Sequence, residues 1–181
     1  MLKYHPHTPV HVFLDDTAYF ITGAIYQKRM LLRHADLKET LLTIIQKNFQ
    51  DFGWQLEHWV ILDNHYHLLG QSRKGKDLSE MFRRIHGGSS TLIREATGCE
   101  LPVWWNFWDY CPRNERQYLT RMNYLFYNPA KHGYVTNLRE YGFSSFHQAF
   151  AALGRERLAR QFRECPDYKT LVLREAENDD F

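Results

Sequence analysis

Hydrophobic residues cluster in short runs in four parts of the chain, and in three other parts they recur at helical spacing. The short runs are rich in aromatic and β-branched residues and predict strands, at 19–27, 54–62, 65–71 and 103–110. The segments with a spacing of three to four residues predict helices, at 35–52, 77–97 and 114–127. A short final helix is predicted at 143–152.

Turn-forming and capping residues place the ends of these helices. Gly53 ends the first helix, and Pro129 is predicted to stop the third because proline has no backbone N–H to donate. Asp77, followed three residues later by Glu80, predicts a variant of the capping box at the start of the second helix. Asn114 is predicted to cap the third helix.

The elements follow the order strand, helix, two strands joined by a tight turn, helix, strand, helix. This order predicts an α+β fold with a ferredoxin-like or RRM-like antiparallel sheet of the βαββαβ type and helices on one face. Residues 1–152 are predicted to form one domain with an extended leader at 1–18, since Pro6 and Pro9 exclude regular structure there. Residues 153–181 are predicted to form a charged C-terminal tail.

Composition narrows the class of protein. The 181 residues are enough for one domain with a sizeable core, and a net charge of +2 does not by itself indicate a nucleic-acid binder. The three cysteines are far apart and form no CxxC pair, so neither a disulfide framework nor a cysteine zinc site is predicted. No apolar run is long enough to span a bilayer, so we expect a cytoplasmic protein without a membrane partner.

Positive charge and aromatic rings are each concentrated in one region. Between residues 71 and 94 there are six basic residues and only two acidic ones. Such a basic segment can bind phosphates, or it can be the solvated face of a helix. The aromatic run at 104–108 could stack on bases or fill the core. The candidate DNA-binding residues are Arg73, Lys74, Lys76, Arg83, Arg84 and Arg113.

Two histidines flank one tyrosine in the third predicted strand. Because successive side chains of a strand point to opposite faces, His65 and His67 share a face and Tyr66 points to the other. Two imidazoles on one face can hold a metal ion, and Asp63 and His58 are further candidate ligands nearby. The alternative is a pair of hydrogen-bonded histidines on a half-buried sheet.

A tyrosine and an asparagine share one face of the third predicted helix. Tyr124 and Asn128 are four residues apart, so both can face the same partner. A tyrosine hydroxyl can attack a phosphodiester to form a covalent phosphotyrosine, and a divalent cation can stabilise the charge on the phosphate. The alternative is a core tyrosine with an asparagine in the turn before Pro129.

Several segments resemble a known family. The tripeptide His65-Tyr66-His67 matches the signature of HUH nucleases, in which two histidines flank a hydrophobic residue. Segment 124–135 (YLFYNPAKHGYV) is similar to the tyrosine-bearing block of single-tyrosine HUH transposases, above all of their REP-associated branch. Segments 105–109 (WNFWD) and 143–146 (FSSF) also resemble that branch, so the resemblance runs from about residue 19 to residue 150.

The resemblance implies an HUH nuclease fold and a metal-dependent transposase-like activity on single-stranded DNA. It implies His65 and His67 as metal ligands, Asn128 as the third ligand, and Tyr124 as the nucleophile. The implied cofactor is a divalent metal ion, Mg²⁺ or Mn²⁺, and the implied partner is single-stranded DNA with a hairpin, such as a REP-like palindrome. Cleavage would form a 5′-phosphotyrosine and a free 3′-hydroxyl, and strand transfer would follow.

Three alternatives stay open on the sequence alone. Tyr127 and Tyr118 are rival nucleophiles, although Tyr127 is roughly 100° of helix rotation from Asn128. The βαββαβ layout also serves non-catalytic modules that bind single-stranded nucleic acid, and a metal-dependent hydrolase could use water in place of tyrosine. The chain could act as a monomer or as a homodimer.

Overall fold

The computed structural model describes residues 11–173, so the first ten residues of the predicted leader and the last eight of the predicted tail lie outside the described residues. Its strands are β1 (Ala18–Ile25), β2 (Gln55–Ile61), β3 (His65–Gln71) and β4 (Trp104–Tyr110). Its α-helices are α1 (Ala35–Asp51), α2 (Leu78–Thr97), α3 (Glu115–Lys131) and α4 (Phe146–Glu164). Short 3₁₀ turns lie at 26–28, 75–77, 138–140 and 166–169.

The four strands form one antiparallel sheet in the order β2-β3-β1-β4. This is the strand order of a ferredoxin-like βαββαβ fold, and the predicted fold class is confirmed. β1 and β3 form the centre of the sheet, and Thr22 of β1 pairs with His67 of β3. β3 therefore has a neighbouring strand on each side, and its two faces are left for helices to cover.

Helices cover both faces of the sheet, and the prediction of helices on one face is wrong. Tyr19, Ile21 and Leu68 pack with α1 and α2 on one face. Phe20 and Leu69 pack with α3 and α4 on the other. Successive residues of β1 and β3 are apolar, and they point to opposite faces of the sheet. Both faces are therefore apolar and have to be covered.

Tyr66 points away from His65 and His67, as the strand alternation predicts. Its hydroxyl is 2.7 Å from His86 Nε2 of α2, and its ring packs against Trp104. Gly23 lies opposite Tyr66 in the sheet, and a Cβ on Gly23 would be 2.3 Å from Tyr66 Cζ. Glycine at this position therefore gives the buried Tyr66 ring its space.

The third helix does not stop before Pro129. It runs to Lys131, and Gly133 ends it with a φ of +74°. Tyr134 N donates to Pro129 O and Gly133 N donates to Ala130 O, which is the Schellman pattern of a glycine-terminated helix. The extra turn places Asn128 inside the helix and fully buried, and not at a free end.

The predicted caps have different outcomes. Asn114 Oδ1 accepts a hydrogen bond from Gln117 N at 2.9 Å, which confirms the N-cap of α3. Asp77 occupies the N-cap position of α2 but makes no side-chain cap bond, and Glu80 instead accepts from Arg83 and Arg84. The prediction of a capping box is therefore wrong. The two arginines one turn further on are charged and donate stronger hydrogen bonds to the Glu80 carboxylate than a backbone N–H would.

The last helix is longer than predicted. α4 continues to Glu164 across a bend at Gly154, whose φ is +76°, and the predicted boundary at 152 falls inside it. Its second half is tied to α3, since Gln161 Nε2 donates to Asn123 Oδ1 at 2.7 Å and Asn123 Nδ2 donates to Cys165 O at 3.1 Å. Within residues 11–173, no helix is both long and apolar enough to cross a membrane.

Candidate active site

His65 and His67 lie side by side at the start of β3, on the face that α3 covers. Both are buried, with relative exposures of 3% and 1%, and their ring centroids are 5.1 Å apart. The strand geometry that the sequence predicts therefore holds for this pair. The face carries the ring of Phe20 from β1, whose centroid is 5.3 Å from that of His67.

One nitrogen of each imidazole is held by an oxygen atom of a neighbouring side chain. His65 Nδ1 is 2.7 Å from Asn64 Oδ1, and His67 Nδ1 is 2.8 Å from Thr22 Oγ1. A proton on each Nδ1 satisfies these oxygens and leaves the lone pair on each Nε2, which is the arrangement of metal-binding histidines. From the sequence, Asn64 is predicted only as part of a turn, and no motif singles out Thr22.

Helix α3 brings Tyr124 and Asn128 to the two histidines. The Tyr124 ring centroid is 5.4 Å from that of His67, and Asn128 Oδ1 is 3.0 Å from His65 Nε2. The two rival tyrosines lie elsewhere. Tyr127 packs against Tyr168 at 5.2 Å, and the Tyr118 hydroxyl donates to Glu57 Oε2 at 2.8 Å. Burial and Glu57 raise the pKa of Tyr118, which makes it a poorer nucleophile.

The protonation state of His65 leaves a nitrogen lone pair suited to a metal ion. Burial, together with the nearby His132, lowers the pKa of His65 to about 3, so the ring is neutral at pH 7. A neutral imidazole has one N–H, yet both nitrogens of His65 face an amide oxygen, of Asn64 and of Asn128. With the proton on Nδ1, a nitrogen lone pair faces the Asn128 oxygen, and a positive ion would be attracted to both.

The donor atoms fit a divalent metal ion. His67 Nε2 is buried without a hydrogen-bond partner, which is costly for a polar atom that serves no ligand. The 3.0 Å between His65 Nε2 and Asn128 Oδ1 is the separation of two neighbouring octahedral ligands with bonds of about 2.1 Å. Residues 11–173 hold no cluster of three or more His, Cys, Asp or Glu suited to a metal. The oxygen atom of the Asn128 amide, beside His65 Nε2, is the candidate third donor.

The other two local ligand candidates are engaged elsewhere. Asp63 Oδ1 accepts from Lys38 Nζ at 2.7 Å. The His58 ring packs edge-on against Phe126 at 5.2 Å, and burial lowers its pKa to about 4. Both side chains therefore have structural contacts that do not involve His65 or His67.

Two basic residues of α3 that no sequence motif singles out lie near the candidate site, Lys131 beside Tyr124 and Arg121 beside Phe20. Lys131 Nζ donates to the Tyr124 hydroxyl at 2.9 Å, and it lies 4.7 Å from the centre of the ring. Arg121 lies 5.4 Å from the centre of the Phe20 ring, which in turn contacts Tyr124 edge-on at 6.2 Å. Helical spacing could have identified Lys131 from the sequence, because it follows Tyr124 by seven residues and so lies on the same face of α3.

The six predicted DNA-binding residues are not beside the histidines. Arg73, Lys74 and Lys76 follow the far end of β3, about 20 Å along the strand from His65. Three other members of the set lie on α2 or ahead of α3, namely Arg83, Arg84 and Arg113. Arg83 and Arg84 share the carboxylate of Glu80, and α2 covers the opposite face of the sheet. DNA contact by any of the six stays a prediction.

Buried neutral histidines predict acid sensitivity. Burial lowers the pKa of His58 to about 4 and that of His86 to about 3. Because both folded pKa values lie below 6.5, the unfolded state binds more protons, and stability is full above about pH 6.5 and is lost as the pH falls toward these values. Each histidine contributes about 1.4 kcal/mol per pH unit in that window. Urea unfolding at pH 7.5, 6 and 5 measures this, and His58→Phe should flatten the dependence; an unchanged slope would contradict it.

Comparisons with known proteins show the family to which this chain belongs. A family model described as "Transposase IS200 like" matches residues 17–110, which include both histidines and end before α3. A REP-associated tyrosine transposase of Escherichia coli (strain K12) is 30% identical over 125 residues, or 67% of this chain, and the match spans 66% of that relative's length.

A solved structure is similar to this chain in fold. It is described as a REP-associated tyrosine transposase bound to a REP hairpin, and it is 27% identical with a TM-score of 0.66. The superposition covers 83% of this chain and 86% of that one. The sheet, the histidine pair and these matches together show that the chain belongs to the family of IS200-like transposases.

Proposed function

We propose that this chain is a metal-dependent endonuclease and strand transferase that cuts single-stranded DNA near a hairpin through a 5′-phosphotyrosine. The observation that carries the proposal is the meeting of Tyr124 and Asn128 on one face of α3 with His65 and His67 on β3. A phenol beside a metal-binding pair fits phosphodiester transfer and has no evident use in a module that only binds DNA.

The substrate proposal rests on the relatives. The solved structure that resembles this chain holds a REP hairpin, so we expect a REP-like palindrome in single-stranded DNA as the partner here. We place the activity in the cytoplasm, where the three cysteines of the described residues, all free thiols, are stable. One chain supplies all four site residues, so a monomer is sufficient for the first cleavage and a homodimer is not required by the geometry.

His65, His67 and Asn128 would hold the metal ion, with Mg²⁺ or Mn²⁺ as the candidates. Imidazole ligands favour Mn²⁺, while Mg²⁺ prefers oxygen. When bound, the ion supplies Lewis-acid stabilisation of the negative charge on the non-bridging phosphate oxygens. Asn64 and Thr22 contribute by holding the two Nδ1 atoms, so that the lone pair of each imidazole lies on Nε2.

Tyr124 performs the substitution at phosphorus. A bond forms between Tyr124 Oη and the 5′-phosphate, the bond from phosphorus to the 3′ oxygen breaks, the phenol proton passes to water, and the departing 3′ oxygen takes a proton from water. One phosphodiester replaces another, so no external energy source is needed and a 3′-hydroxyl can reverse the step. The ring is held for this attack by His67 and Phe20, which contact it edge-on.

Lys131 places a positive charge at the reacting oxygen. Its ammonium group donates to Tyr124 Oη at 2.9 Å, and it is exposed enough to reach an incoming phosphate. A cation at this point stabilises the negative charge that Tyr124 Oη carries as it attacks, and also the extra charge on the phosphate oxygens. It therefore favours the transition state of both cleavage and rejoining.

Lys131→Met should slow adduct formation by roughly 10- to 100-fold while leaving the Kd for hairpin DNA within about a factor of three. Because the charge acts on the transition state, rejoining should slow by the same factor and the equilibrium between cut and joined DNA should not move. Single-turnover cleavage and religation assays measure both rates. Lys131→Arg should recover part of the rate, and Lys47→Met, which removes an exposed lysine of α1, is the matched control. Equal rates in Lys131→Met and wild type would overturn this role.

A covalent-trapping experiment tests the function as a whole. Hairpin DNA labelled on the 3′ side of the scissile bond is incubated with protein and Mn²⁺ or Mg²⁺, and the products are separated on a denaturing gel. The proposal predicts a labelled protein band and a free 3′-hydroxyl. A hydrolase that uses water would give cut DNA without the band, and a non-catalytic binding module would give neither.

A further inference from the structure

A buried ion pair lies beside the turn that leads into His65. Lys38 Nζ of α1 donates to Asp63 Oδ1, between β2 and β3, at 2.7 Å. The Lys38 side chain is 6% exposed and that of Asp63 is 17% exposed. The centres of the Tyr141 and Phe143 rings lie 5.7 and 5.1 Å from Lys38 Nζ. The pair is therefore largely shielded from solvent, and neither charge takes part in the chemistry described above.

The location of this ion pair is unfavourable for each charge taken alone. Lys38 is in the first turn of α1, where the helix dipole disfavours a cation. Both groups also lose most of their hydration, and replacing a buried ion pair by apolar residues often leaves stability unchanged or raises it. Stability is therefore a weak reason for this pair, and a geometric role explains it better.

The turn that the pair holds carries Asn64, which orients His65. Asn64 Nδ2 donates to Lys28 O at 3.3 Å, so the oxygen of the same amide is the atom that faces His65 Nδ1 at 2.7 Å. An amide oxygen can only accept, so the proton of the neutral ring lies on Nδ1 and the lone pair lies on Nε2. A shift of the turn would change both the orientation of the ring and the place of its proton.

His65 depends on this turn more than His67 does. His67 lies inside β3, between Thr22 of β1 and Val60 of β2, and Thr22 also holds its Nδ1. His65 is the first residue of β3, and its Nδ1 is held by Asn64 of the turn itself. The sheet therefore fixes one histidine, whereas the contacts of the turn fix the other.

The same turn also contacts the segment that ends α3. Asp63 N donates to Tyr134 Oη at 3.4 Å, and Tyr134 N belongs to the hydrogen bonds that close α3. The last turns of this helix carry Asn128, whose Oδ1 is 3.0 Å from His65 Nε2. The turn thus links the strand and the helix that supply two neighbouring donor atoms.

We propose that Lys38 is a positioning residue of the metal site, whose ion pair with Asp63 fixes the turn and so the Asn64 amide that orients His65. Lys38 acts through these residues and touches neither the ion nor the DNA. The inference rests on the proposed function, because it concerns a ligand of the ion which that function requires. It also gives α1, which packs on the opposite face of the sheet, a part in the site.

A double variant tests the role of the pair in metal binding. Lys38→Met/Asp63→Asn removes both charges together, so that neither is left buried without a partner. The Kd for Mn²⁺, measured by paramagnetic resonance without DNA, should rise by about tenfold. Lys47→Met/Asp51→Asn removes an exposed ion pair of the same helix and should leave this Kd unchanged. Lys38→Arg should recover part of the affinity. A double variant that binds Mn²⁺ with the wild-type Kd, whatever its melting temperature, would overturn the proposal.

Nitrogen NMR of the imidazole rings tests the same role without metal. The chemical shifts distinguish a protonated from an unprotonated ring nitrogen, and His65→Gln identifies the signals of His65. The wild-type ring should carry its proton on Nδ1, whereas the double variant should show a mixture of the two tautomers, as should Asn64→Ala. An unchanged tautomer in the double variant would reject the role of Lys38 and leave adduct formation by Tyr124 intact. Conversely, a changed tautomer in a protein whose wild type forms no adduct would retain this role and reject the proposed chemistry.

Discussion

Tyr124→Phe should abolish the covalent protein–DNA band and lower the rate of hairpin cleavage by at least about 10³-fold. The change removes one oxygen atom and leaves the ring that contacts His67 and Phe20, so the site should keep its shape. Binding of hairpin DNA should stay within about a factor of three, because the lost hydroxyl acts in the reaction and not in the ground state. Single-turnover cleavage, denaturing gels and a binding isotherm measure the three quantities.

Tyr127→Phe is the matched control, because Tyr127 is on the same helix and its ring packs on Tyr168, away from the histidines. It should form the band at close to the wild-type rate. Tyr118→Phe loses its hydrogen bond to Glu57 and should lose some stability but no chemistry. A band that survives in Tyr124→Phe and disappears in Tyr127→Phe would assign the nucleophile to the other tyrosine. Cleavage that survives without any band would favour water as the nucleophile.

The sheet could be predicted from the sequence because its strands carry strong local signals. β-branched and aromatic runs gave all four strands to within one or two residues, and the turn after Leu62 fixed the pairing of β2 with β3. The shared face of His65 and His67 follows from the two-residue period of a strand alone. Local pattern and tertiary structure agree at these positions, so no knowledge of the packing was needed.

The features that sequence reasoning missed depend on contacts between distant segments. Thr22 precedes His67 by 45 residues, and only the pairing of β1 with β3 brings the two together. The end of α3 is set by Gly133, whose effect outweighs that of Pro129 because a proline in the last turn leaves few hydrogen bonds unmade. Arg121 has no motif of its own, and its contacts with the rings of Phe20 and Tyr110 depend on how α3 packs on the sheet.

The charged composition after residue 152 also misled the prediction. Arginine and glutamate suggested a loosely packed tail, but Leu158, Cys165 and Tyr168 are buried and form one face of an amphipathic segment. Asn123, which is fully buried, makes three hydrogen bonds to this segment through its side chain. A few apolar residues at helical spacing therefore decide the packing, whereas the many charged ones lie on the solvent side.

The buried donors of the candidate metal site should stabilise the fold only when an ion is present. His67 Nε2 is buried without a hydrogen-bond partner, which lowers stability in the absence of a ligand. An ion that binds the folded state alone adds about 2.7 kcal/mol at a hundredfold excess over its Kd. For a chain of this length, that corresponds to a rise in Tm of roughly 5–10 °C.

We therefore expect Mn²⁺ to raise the Tm of the wild-type chain by about that amount, and excess chelator to reverse the rise. His67→Ala should remove the shift, because it deletes one of the three proposed protein ligands of the ion. Asn128→Ala should reduce it, and His34→Ala, which changes an exposed histidine ahead of α1, should leave it unchanged. Mn²⁺ paramagnetic resonance titrations give the affinity independently of any cleavage assay. A shift of equal size in wild type and His67→Ala would show that the ion binds elsewhere in the molecule. It would also contradict the chemistry assigned to the histidine pair.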